Sequence, residues 1–373
     1  MGKHKYIGYR PTWAEVNLEN LLYNFKQVKR LLAPRTKIMV TVKADAYGHG
    51  LIPVASKLAL CGADYFGVAS IDEGILLRKA GINLPILVLG MILKEDIKPL
   101  FKYGLVPTVC SEELASSLNR QATRDKRPIN IHVKVDTGMG RIGVMPLDAE
   151  SLIERISKMK FISIEGIFTH FAFADMDRKF TLHQISLFNR LISKLSSSGI
   201  KAPFLHCANS MGIIDYKRGH FNMVRPGLVI YGLYPKAGLK LKLKPVLSLK
   251  SKVVYCKGVP KGQGISYGHS YITKRDTLIA TLPIGYGDGY PRNLSNIASV
   301  LIGGRRFKVS GRVCMDQIMV DVGDAKVKIG DEVVLIGSQG KSKITAEELA
   351  ELAETIPYEI VCGLGSRVPR IYT

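Results

Sequence analysis

Short apolar runs alternate with amphipathic stretches along the first 240 residues of the chain. The runs are rich in valine and isoleucine, which is typical of strands that are buried on both faces. They predict eight strands, at residues 37–42, 65–69, 85–89, 105–109, 129–135, 163–168, 204–206 and 228–231.

The stretches between these runs have helical spacing. Residues 70–80 begin with Ser-x-x-Glu, the pattern of a capping box in which Glu73 would bond back to the backbone of Ser70. Residues 111–123 place two glutamates at a helix start, and residues 182–196 carry an apolar stripe. The alternation predicts an α/β fold, a TIM-type (β/α)8 barrel. A doubly wound open sheet is the alternative, but no GxGxxG follows the first strand.

Helical patterns become scarce after residue 240, and glycine-rich turns separate short apolar runs. These runs predict strands at 246–255, 277–282, 298–302, 307–309, 317–322 and 332–336. One helix is predicted at 345–354. We therefore divide the chain into a barrel domain (1–240) and a C-terminal, mostly-β domain (241–373), with residues 1–10 as a candidate extra segment of the second domain.

Composition excludes some classes of protein. Of the 373 residues, 46% are hydrophobic and 23% are charged, which is the balance of a globular protein and not of a disordered one. The net charge of +22 suggests nucleic acid or anionic lipid as partners. No nucleic-acid-binding motif supports this, so we predict no nucleic-acid partner.

The chain also lacks the sequence features of membrane and secreted proteins. No apolar run is long enough to cross a membrane, and the N-terminus lacks the apolar segment of a signal peptide. The six cysteines form no CxxC pair, so we predict neither a disulfide framework nor a metal site. Together these features predict a cytoplasmic protein without a membrane partner.

Lys43 directly follows the first predicted barrel strand. Active sites of β/α barrels lie at this end of the strands. Burial there would favour the neutral amine, which is the nucleophile of Schiff-base chemistry. A lysine that reaches from the strand end to solvent is the alternative, and position alone does not decide between the two.

Nine ordered motifs decide it, because together they resemble the alanine racemases. They are VKADAYGHG (42–50), HVKVDTGMGRIGV (132–144), GIFTHFAFAD (166–175), HCANSMG (206–212), VRPGLVIYG (224–232), ISYGHSY (265–271), LPIGYGDGY (282–290), GRVCMDQIMVDV (311–322) and IPYEIVCGLGSRVPRIY (356–372). The resemblance implies a pyridoxal 5'-phosphate (PLP) enzyme that interconverts L- and D-alanine and supplies D-alanine for peptidoglycan. It also implies a homodimer whose active sites draw on both subunits.

The resemblance assigns the proton transfers to two residues. Lys43 matches the lysine that holds PLP and moves the α-proton on one face of the substrate. Tyr267 matches the base on the other face, which comes from the partner subunit. A tyrosine needs positive neighbours to act near neutral pH, and His170 and Arg225 match residues that supply them. Arg225 also matches the arginine that contacts the pyridine nitrogen of PLP. Because arginine cannot accept a proton, this contact implies an unprotonated nitrogen.

Other matches concern the phosphate and the substrate. The positions on the cofactor side are Tyr47, His170, Asn209, Ser210, Gly227, Leu228 and Tyr358. Arg141, Met315 and Tyr286 match residues that bind the substrate or narrow its pocket. In relatives the lysine that matches Lys134 is often carbamylated, so Lys134 is a candidate for carbamylation.

Four further positions match the entrance of the family's active site: Asp175, Arg292, Arg312 and Ile356. Asp45 departs from the pattern, since many relatives have asparagine there. The alternatives are a PLP decarboxylase of the same fold, a non-catalytic PLP carrier and a broad-specificity or serine racemase. Arg225 and the ISYGHSY motif argue against a decarboxylase, and the second domain argues against a carrier. Sequence separates the third alternative poorly.

Overall fold

Eight parallel strands close into a barrel in the computed structural model, which describes residues 9–236 and 238–373. The first strand of the chain, β1 (Thr12–Val16), lies outside the barrel. The barrel strands are β2 (Lys37–Thr41), β3 (Tyr65–Val68), β4 (Ile86–Val88), β5 (Val106–Val109), β6 (Ile129–Lys134), β7 (Ile162–Phe168), β8 (Phe204–His206) and β9 (Met223–Val224). Seven of these overlap a predicted strand, which confirms the barrel.

The helices of this domain connect successive strands. They are α1 (Leu18–Arg30), α2 (Lys43–Gly48), α3 (Leu51–Leu60), α4 (Ile71–Lys79), α5 (Ile97–Tyr103), α6 (Glu112–Arg124), α7 (Pro146–Ser157), α8 (Arg178–Ser197) and α9 (Ser210–Asp215). Ser70 and Ser111 cap α4 and α6, because each hydroxyl accepts a backbone N–H of its helix. Helix α8 begins four residues before the predicted start, where Asp177 provides the cap. Across residues 9–236 and 238–373, no helix combines the length and the apolar character needed to span a membrane.

The prediction of the eighth strand was wrong. Residues Leu228–Tyr231 form a buried 3-10 turn, and the eighth barrel strand is the short β9 before it. Pro226 has no N–H to continue the strand, and Gly232 ends the turn with a positive φ of 77°. An apolar run of four residues has the same pattern in a buried strand and in a buried turn, so periodicity could not separate them.

The second domain consists mainly of short strands. They are β10 (Leu247–Lys252), β11 (Tyr255–Val259), β12 (Gly264–Ile265), β13 (Tyr271–Ile272), β14 (Thr277–Leu282), β15 (Ser299–Ile302), β16 (Arg305–Lys308), β17 (Ile318–Gly323), β18 (Glu332–Gln339), β19 (Ser342–Ile344) and β20 (Arg370–Tyr372). Two helices, α10 (Ala346–Leu352) and α11 (Pro357–Cys362), lie near its end. The mostly-β class was predicted correctly. The single strand predicted at 246–255 is two strands, because the chain leaves one sheet after β10 and joins another at β11.

The largest sheet of this domain includes both ends of the described chain. Its order is β16-β15-β18-β10-β1-β20, with β19 paired to β18. Strand β1 pairs antiparallel with β10 and parallel with β20. Residues 1–8 lie outside the described residues, so their expected packing on this domain and the boundary at residue 240 stay predictions. The smaller sheets are β11-β14-β17 and β12-β13.

The interior of the barrel is filled by one side chain from each of several strands, as is usual for this fold. The apolar members are Met39, Tyr65, Leu87, Val106, Phe168 and Met223. Strands β6 and β8 contribute histidines instead. The ring of His206 stacks on Phe168 at a centroid distance of 4.7 Å, and His132 lies 5.0 Å from His206. The interior is therefore partly polar.

We expect that Gly166→Ala will destabilise the barrel. Gly166 lies beside His132 on the neighbouring strand, and an added Cβ would lie 2.3 Å from His132 Nδ1. Because the ring or the strand must move, the cost should be about 1–3 kcal/mol, measured as a lower midpoint of denaturant-induced unfolding.

Gly258→Ala is the matched control. It also lies within a strand, but an added Cβ there would meet no atom within 4 Å. Equal unfolding midpoints for the two variants would contradict the prediction.

Candidate active site

Lys43 lies at the carboxyl end of β2, where the chain enters a left-handed turn. Ala44, Asp45, Ala46 and Tyr47 have φ angles between 51° and 55°. This conformation costs roughly 1–2 kcal/mol for each residue that is not glycine. Four consecutive left-handed residues therefore need strong tertiary support, which the turn receives at both ends.

Three polar contacts hold this turn. The N–H of Ala44 donates to Glu73 Oε1 at 2.6 Å, and the N–H of Leu51 donates to Asp45 Oδ1 at 2.7 Å. At the end of the turn, Arg370 Nε donates to the carbonyl of Gly48 at 3.0 Å. Arg370 belongs to β20, so the second domain helps to fix the backbone next to Lys43.

The predicted capping box is only half formed. The hydroxyl of Ser70 accepts the N–H of Glu73 as expected. The carboxylate of Glu73, however, accepts the N–H groups of Ala69 and Ala44, and not that of Ser70. Glu73 therefore connects the ends of β2 and β3, a role that the capping pattern did not reveal.

Positive side chains converge around Lys43. Burial and the neighbouring Arg141 lower the pKa of Lys43, which favours its neutral amine. Burial, Arg141 and Arg225 lower the pKa of Lys134 to about 8. The loop of Arg141 is fixed by Asp136, whose carboxylate accepts the backbone N–H groups of residues 138–141. Such a pocket favours anionic ligands.

Arg225 is buried, and its guanidinium is bonded to uncharged groups. It donates to the carbonyls of Thr169, His206 and Cys207. It also donates to Nδ1 of His206 at 2.6 Å and to Nδ1 of His170 at 3.2 Å. Burial lowers the pKa of Arg225 to about 10, so it remains charged at neutral pH. Burial and Arg225 hold the pKa of His170 well below its usual value, which leaves this ring neutral. The expectation that His170 supplies a positive charge was therefore wrong, because burial beside a guanidinium disfavours the imidazolium.

The predicted phosphate-side residues meet behind this cluster. The rings of Tyr47 and Tyr358 lie 5.9 Å apart, and burial raises the pKa of Tyr358 to about 12. A Cβ on Gly227 would lie 2.6 Å from the hydroxyl of Tyr47, so only glycine fits there. The N–H of Gly227 donates to the Ser210 hydroxyl at 3.1 Å.

Asn209 and Leu228 occupy the edges of this region. The side chain of Asn209 caps α9 by accepting the N–H of Gly212. Leu228 begins the 3-10 turn after Gly227. The structure thus gathers ten of the predicted positions at one end of the barrel: Lys43, Tyr47, Lys134, Arg141, His170, Asn209, Ser210, Arg225, Gly227 and Leu228.

Tyr267 and Met315 lie in a different place. They line an open cleft of about 770 Å³ whose lining residues all belong to the second domain: Ser266, Tyr267, Gly268, His269, Cys314, Met315, Asp316 and Gln317. Tyr267 is 70% exposed. The N–H of Tyr286 donates to the carbonyl of Cys314, so Tyr286 borders the same loop. Within one chain these residues form a second cluster.

Three of the four entrance positions border one of the two clusters. Asp175 lies close enough to Tyr358 to raise its pKa, and Ile356 is the residue before the helix that contains Tyr358. The guanidinium of Arg312 packs against Gly268, beside Tyr267. Arg292 lies in a short 3-10 turn of the second domain.

Two family models cover nearly the whole chain. The model of the alanine racemase N-terminal domain matches residues 16–235, and that of the alanine racemase C-terminal domain matches residues 246–372. The chain belongs to the alanine racemase family. The alanine racemase of Halothermothrix orenii is 52% identical over 97% of both chains. That of Carboxydothermus hydrogenoformans is 47% identical over 97% of this chain and all of its own.

Solved alanine racemases have the same fold. The structure from Clostridium difficile superposes with a TM-score of 0.93 at 43% identity and covers 97% of this chain and 96% of its own. The Bacillus anthracis alanine racemase, solved with bound L-Ala-P, superposes with a TM-score of 0.93 at 37% identity and covers 99% of this chain and 96% of its own. The architecture described above is therefore that of alanine racemases along its full length.

Sequence reasoning missed several neighbours of the alanine racemase site. Glu73 and Arg370 support the lysine turn, and Cys362 lies near Lys43 and Tyr47. His206 bonds directly to Arg225. A signal existed for His206, because its strand ends in a polar residue at the active end of the barrel. Arg370, which bonds to the lysine turn from the other end of the chain, could not be identified from any local sequence pattern.

We expect the strain of the lysine turn to be measurable at Ala44, whose side chain is exposed. Ala44→Gly removes the left-handed penalty and should raise the thermal midpoint of unfolding or leave it unchanged. Ala44→Val, whose branched side chain is strained at positive φ, should lower stability by about 1–2 kcal/mol. A valine variant more stable than the glycine variant would contradict this account.

Proposed function

We propose that this chain is an alanine racemase that interconverts L- and D-alanine with PLP and so supplies D-alanine for peptidoglycan. The observation that carries the proposal is the environment of Arg225. A buried arginine whose partners are carbonyls and imidazoles stands where a PLP decarboxylase of this fold would have an acid. A broad-specificity or serine racemase is the weaker alternative.

The residues around Lys43 fit PLP. The dianionic phosphate needs backbone N–H groups and hydroxyls without a neighbouring carboxylate. Ser210, Tyr47 and the backbone of Gly227 offer these groups, and the missing Cβ of Gly227 leaves room beside Tyr47. The lowered pKa of Lys43 favours the neutral amine, the form that attacks an aldehyde.

When bound, PLP withdraws electrons from the α-carbon of an amino acid and thereby acidifies its α-proton. Lys43 would take or return that proton on one face of the substrate. Arg225 would face the ring nitrogen of the cofactor. Because it holds a fixed positive charge and has no atom that accepts a proton, it would disfavour a protonated nitrogen. The ring would then withdraw electrons less strongly, which suits a reaction that only returns a proton.

The second proton-transfer residue in this proposal is Tyr267 of the second protomer. Tyr267 is exposed and lines a cleft formed by the second domain alone, which supports a site completed by two chains. We therefore propose a homodimer. Each barrel end would face the cleft of the other protomer, as a two-fold axis requires.

Substrate binding follows from the same arrangement. Arg141, fixed through the contacts of its loop with Asp136, supplies a cation for the substrate carboxylate. Met315 and Tyr286 would restrict the side chain of the substrate to about the size of a methyl group. Since size selection is worth only about 1–3 kcal/mol per methylene, slow turnover of serine is expected. Lys134, with its lowered pKa, is a candidate for carbamylation.

We expect Tyr267→Phe to lower the rate of alanine racemisation by about 10²–10⁴-fold, the usual contribution of a general acid or base. The visible absorbance of the bound cofactor should persist. The measurement is racemisation and α-proton exchange in deuterated water, with L-alanine, L-serine and L-lysine in parallel.

Tyr255→Phe is the control, because Tyr255 is also an exposed tyrosine of the second domain. It should behave as the unaltered chain. No exchange with alanine in the unaltered chain would overturn the proposed function. Normal activity of Tyr267→Phe would remove Tyr267 from the mechanism.

A mixing experiment tests the shared site. Lys43→Ala and Tyr267→Phe chains should each be inactive alone. After unfolding and refolding together, half of the dimers are mixed, and each mixed dimer regains one intact site of two, so about one quarter of full activity should return. If both residues of a site came from one chain, mixing would restore nothing.

A further inference from the structure

Five polar side chains form a continuous chain through the barrel interior. From the active end they are Arg225, His206, His132, Glu165 and Tyr65. Arg225 Nη1 lies 2.6 Å from His206 Nδ1, and His206 Nε2 lies 2.8 Å from His132 Nδ1. Glu165 Oε2 accepts the Tyr65 hydroxyl at 2.9 Å. It also lies 3.4 Å from His132 Nε2, which is within ion-pair distance, but His132 Nε2 makes no hydrogen bond.

Chemistry fixes the direction of these contacts. Arginine has donors only, so Nδ1 of His206 must be the acceptor. A neutral His206 then carries its proton on Nε2 and donates it to Nδ1 of His132. A neutral His132 in turn carries its proton on Nε2, which faces Glu165. The same carboxylate oxygen accepts from Tyr65. The contacts are thus directed towards Glu165, and the step from His132 to Glu165 is electrostatic and not a hydrogen bond.

Burial leaves Arg225 and Glu165 as the two charged members of this row of five side chains. His132 and His206 have no exposed surface, and Arg225 is 4% exposed. Burial, together with Arg225 and His132, holds the pKa of His206 well below its usual value. Burial also lowers the pKa of His132, although Glu165 opposes that shift. Burial alone would raise the pKa of Glu165, but contacts with His132 and Tyr65 lower it.

Two neutral rings thus separate a buried guanidinium from a carboxylate whose side chain is 17% exposed. Barrel interiors are normally filled with apolar side chains. A buried cation without an opposite charge is strongly unfavourable, and the groups that bond to Arg225 directly are all uncharged. Glu165 supplies that opposite charge at a distance, through His132 and His206. We call the row of Arg225, His206, His132, Glu165 and Tyr65 the relay.

We propose that Glu165 is a positioning residue for Arg225. Its carboxylate selects the Nε2–H form of His132 and hence of His206, and this keeps the Nδ1 lone pair of His206 on the guanidinium. Its effect on turnover rests on the proposed function, because Arg225 would meet the cofactor ring. The forms of the two histidines do not depend on that function.

The first test is ¹⁵N NMR of the holoenzyme labelled in histidine, with His132→Gln and His206→Gln chains for assignment. We expect both rings to be neutral with the proton on Nε2 at neutral pH. Glu165→Leu removes the acceptor and should change the signals of His206, which Glu165 does not touch. Glu165→Gln retains an acceptor oxygen and should preserve both Nε2–H forms.

An Nδ1–H form or a doubly protonated ring in the unaltered chain would overturn the proposal. Unchanged His206 signals in Glu165→Leu would overturn it as well. If that variant does not fold, Glu165→Ala removes the same carboxylate and takes its place in the comparison.

The second test is kinetic. Glu165→Leu should lower kcat for alanine by roughly five- to tenfold, a fraction of what a direct charged hydrogen bond contributes, with little change in KM. Glu165→Gln should lose less. Glu150→Gln is the matched control, since Glu150 is a partly buried carboxylate that pairs with Lys194 on the outer helices.

Equal kcat values for Glu165→Leu and the control would show that the relay does not act on Arg225. The outcomes for the two proposals remain separable. An unaltered chain that shows the Nε2–H forms but does not racemise alanine would refute the proposed function and leave the relay in place.

Discussion

The buried guanidinium of Arg225 is the constraint on which the rest of the barrel end depends. Its hydrogen bonds go to three carbonyls at the ends of neighbouring barrel strands and to two imidazoles. Burial, together with this charge, lowers the pKa values of His170, His206 and Lys134. Arg225 therefore adds to the effect of burial in keeping the two imidazoles neutral, and its charge favours anionic ligands beside it.

The left-handed turn after β2 changes the direction of the chain at the same end of the barrel. Four consecutive residues with positive φ turn the chain sharply after Lys43. Their strain is offset by Glu73 from the next β/α unit and by Arg370 from the last strand of the chain. The position of Lys43 is therefore controlled by residues that are distant in sequence and that belong to both domains.

The barrel and the β-rich second domain could be predicted because hydrophobic periodicity reports burial directly. The site residues could be proposed because long motifs resembled a known family. Periodicity failed where a short apolar run was a turn, at Leu228–Tyr231, and where a strand changed sheets, at 246–255. Glu73 showed its capping pattern in the sequence, but its second bond to Ala44 depends on how two β/α units pack. Of the two interior histidines, His206 ends its strand at the active end and could have been suspected, whereas His132 lies within β6 and gave no signal, because a buried histidine and an exposed one are identical in a sequence.

The sheet that contains β1 has a consequence for synthesis of the protein. Strand β1 is the first of the described strands to be synthesised, yet its partners are β10 and β20, the latter at Arg370–Tyr372. During translation the backbone edges of β1 stay unpaired with these strands while the whole barrel is made, and its pairing with β20 follows later than its pairing with β10. Strand β1 is thus made early and fully paired late, so its edges are exposed to unwanted strand pairing during synthesis.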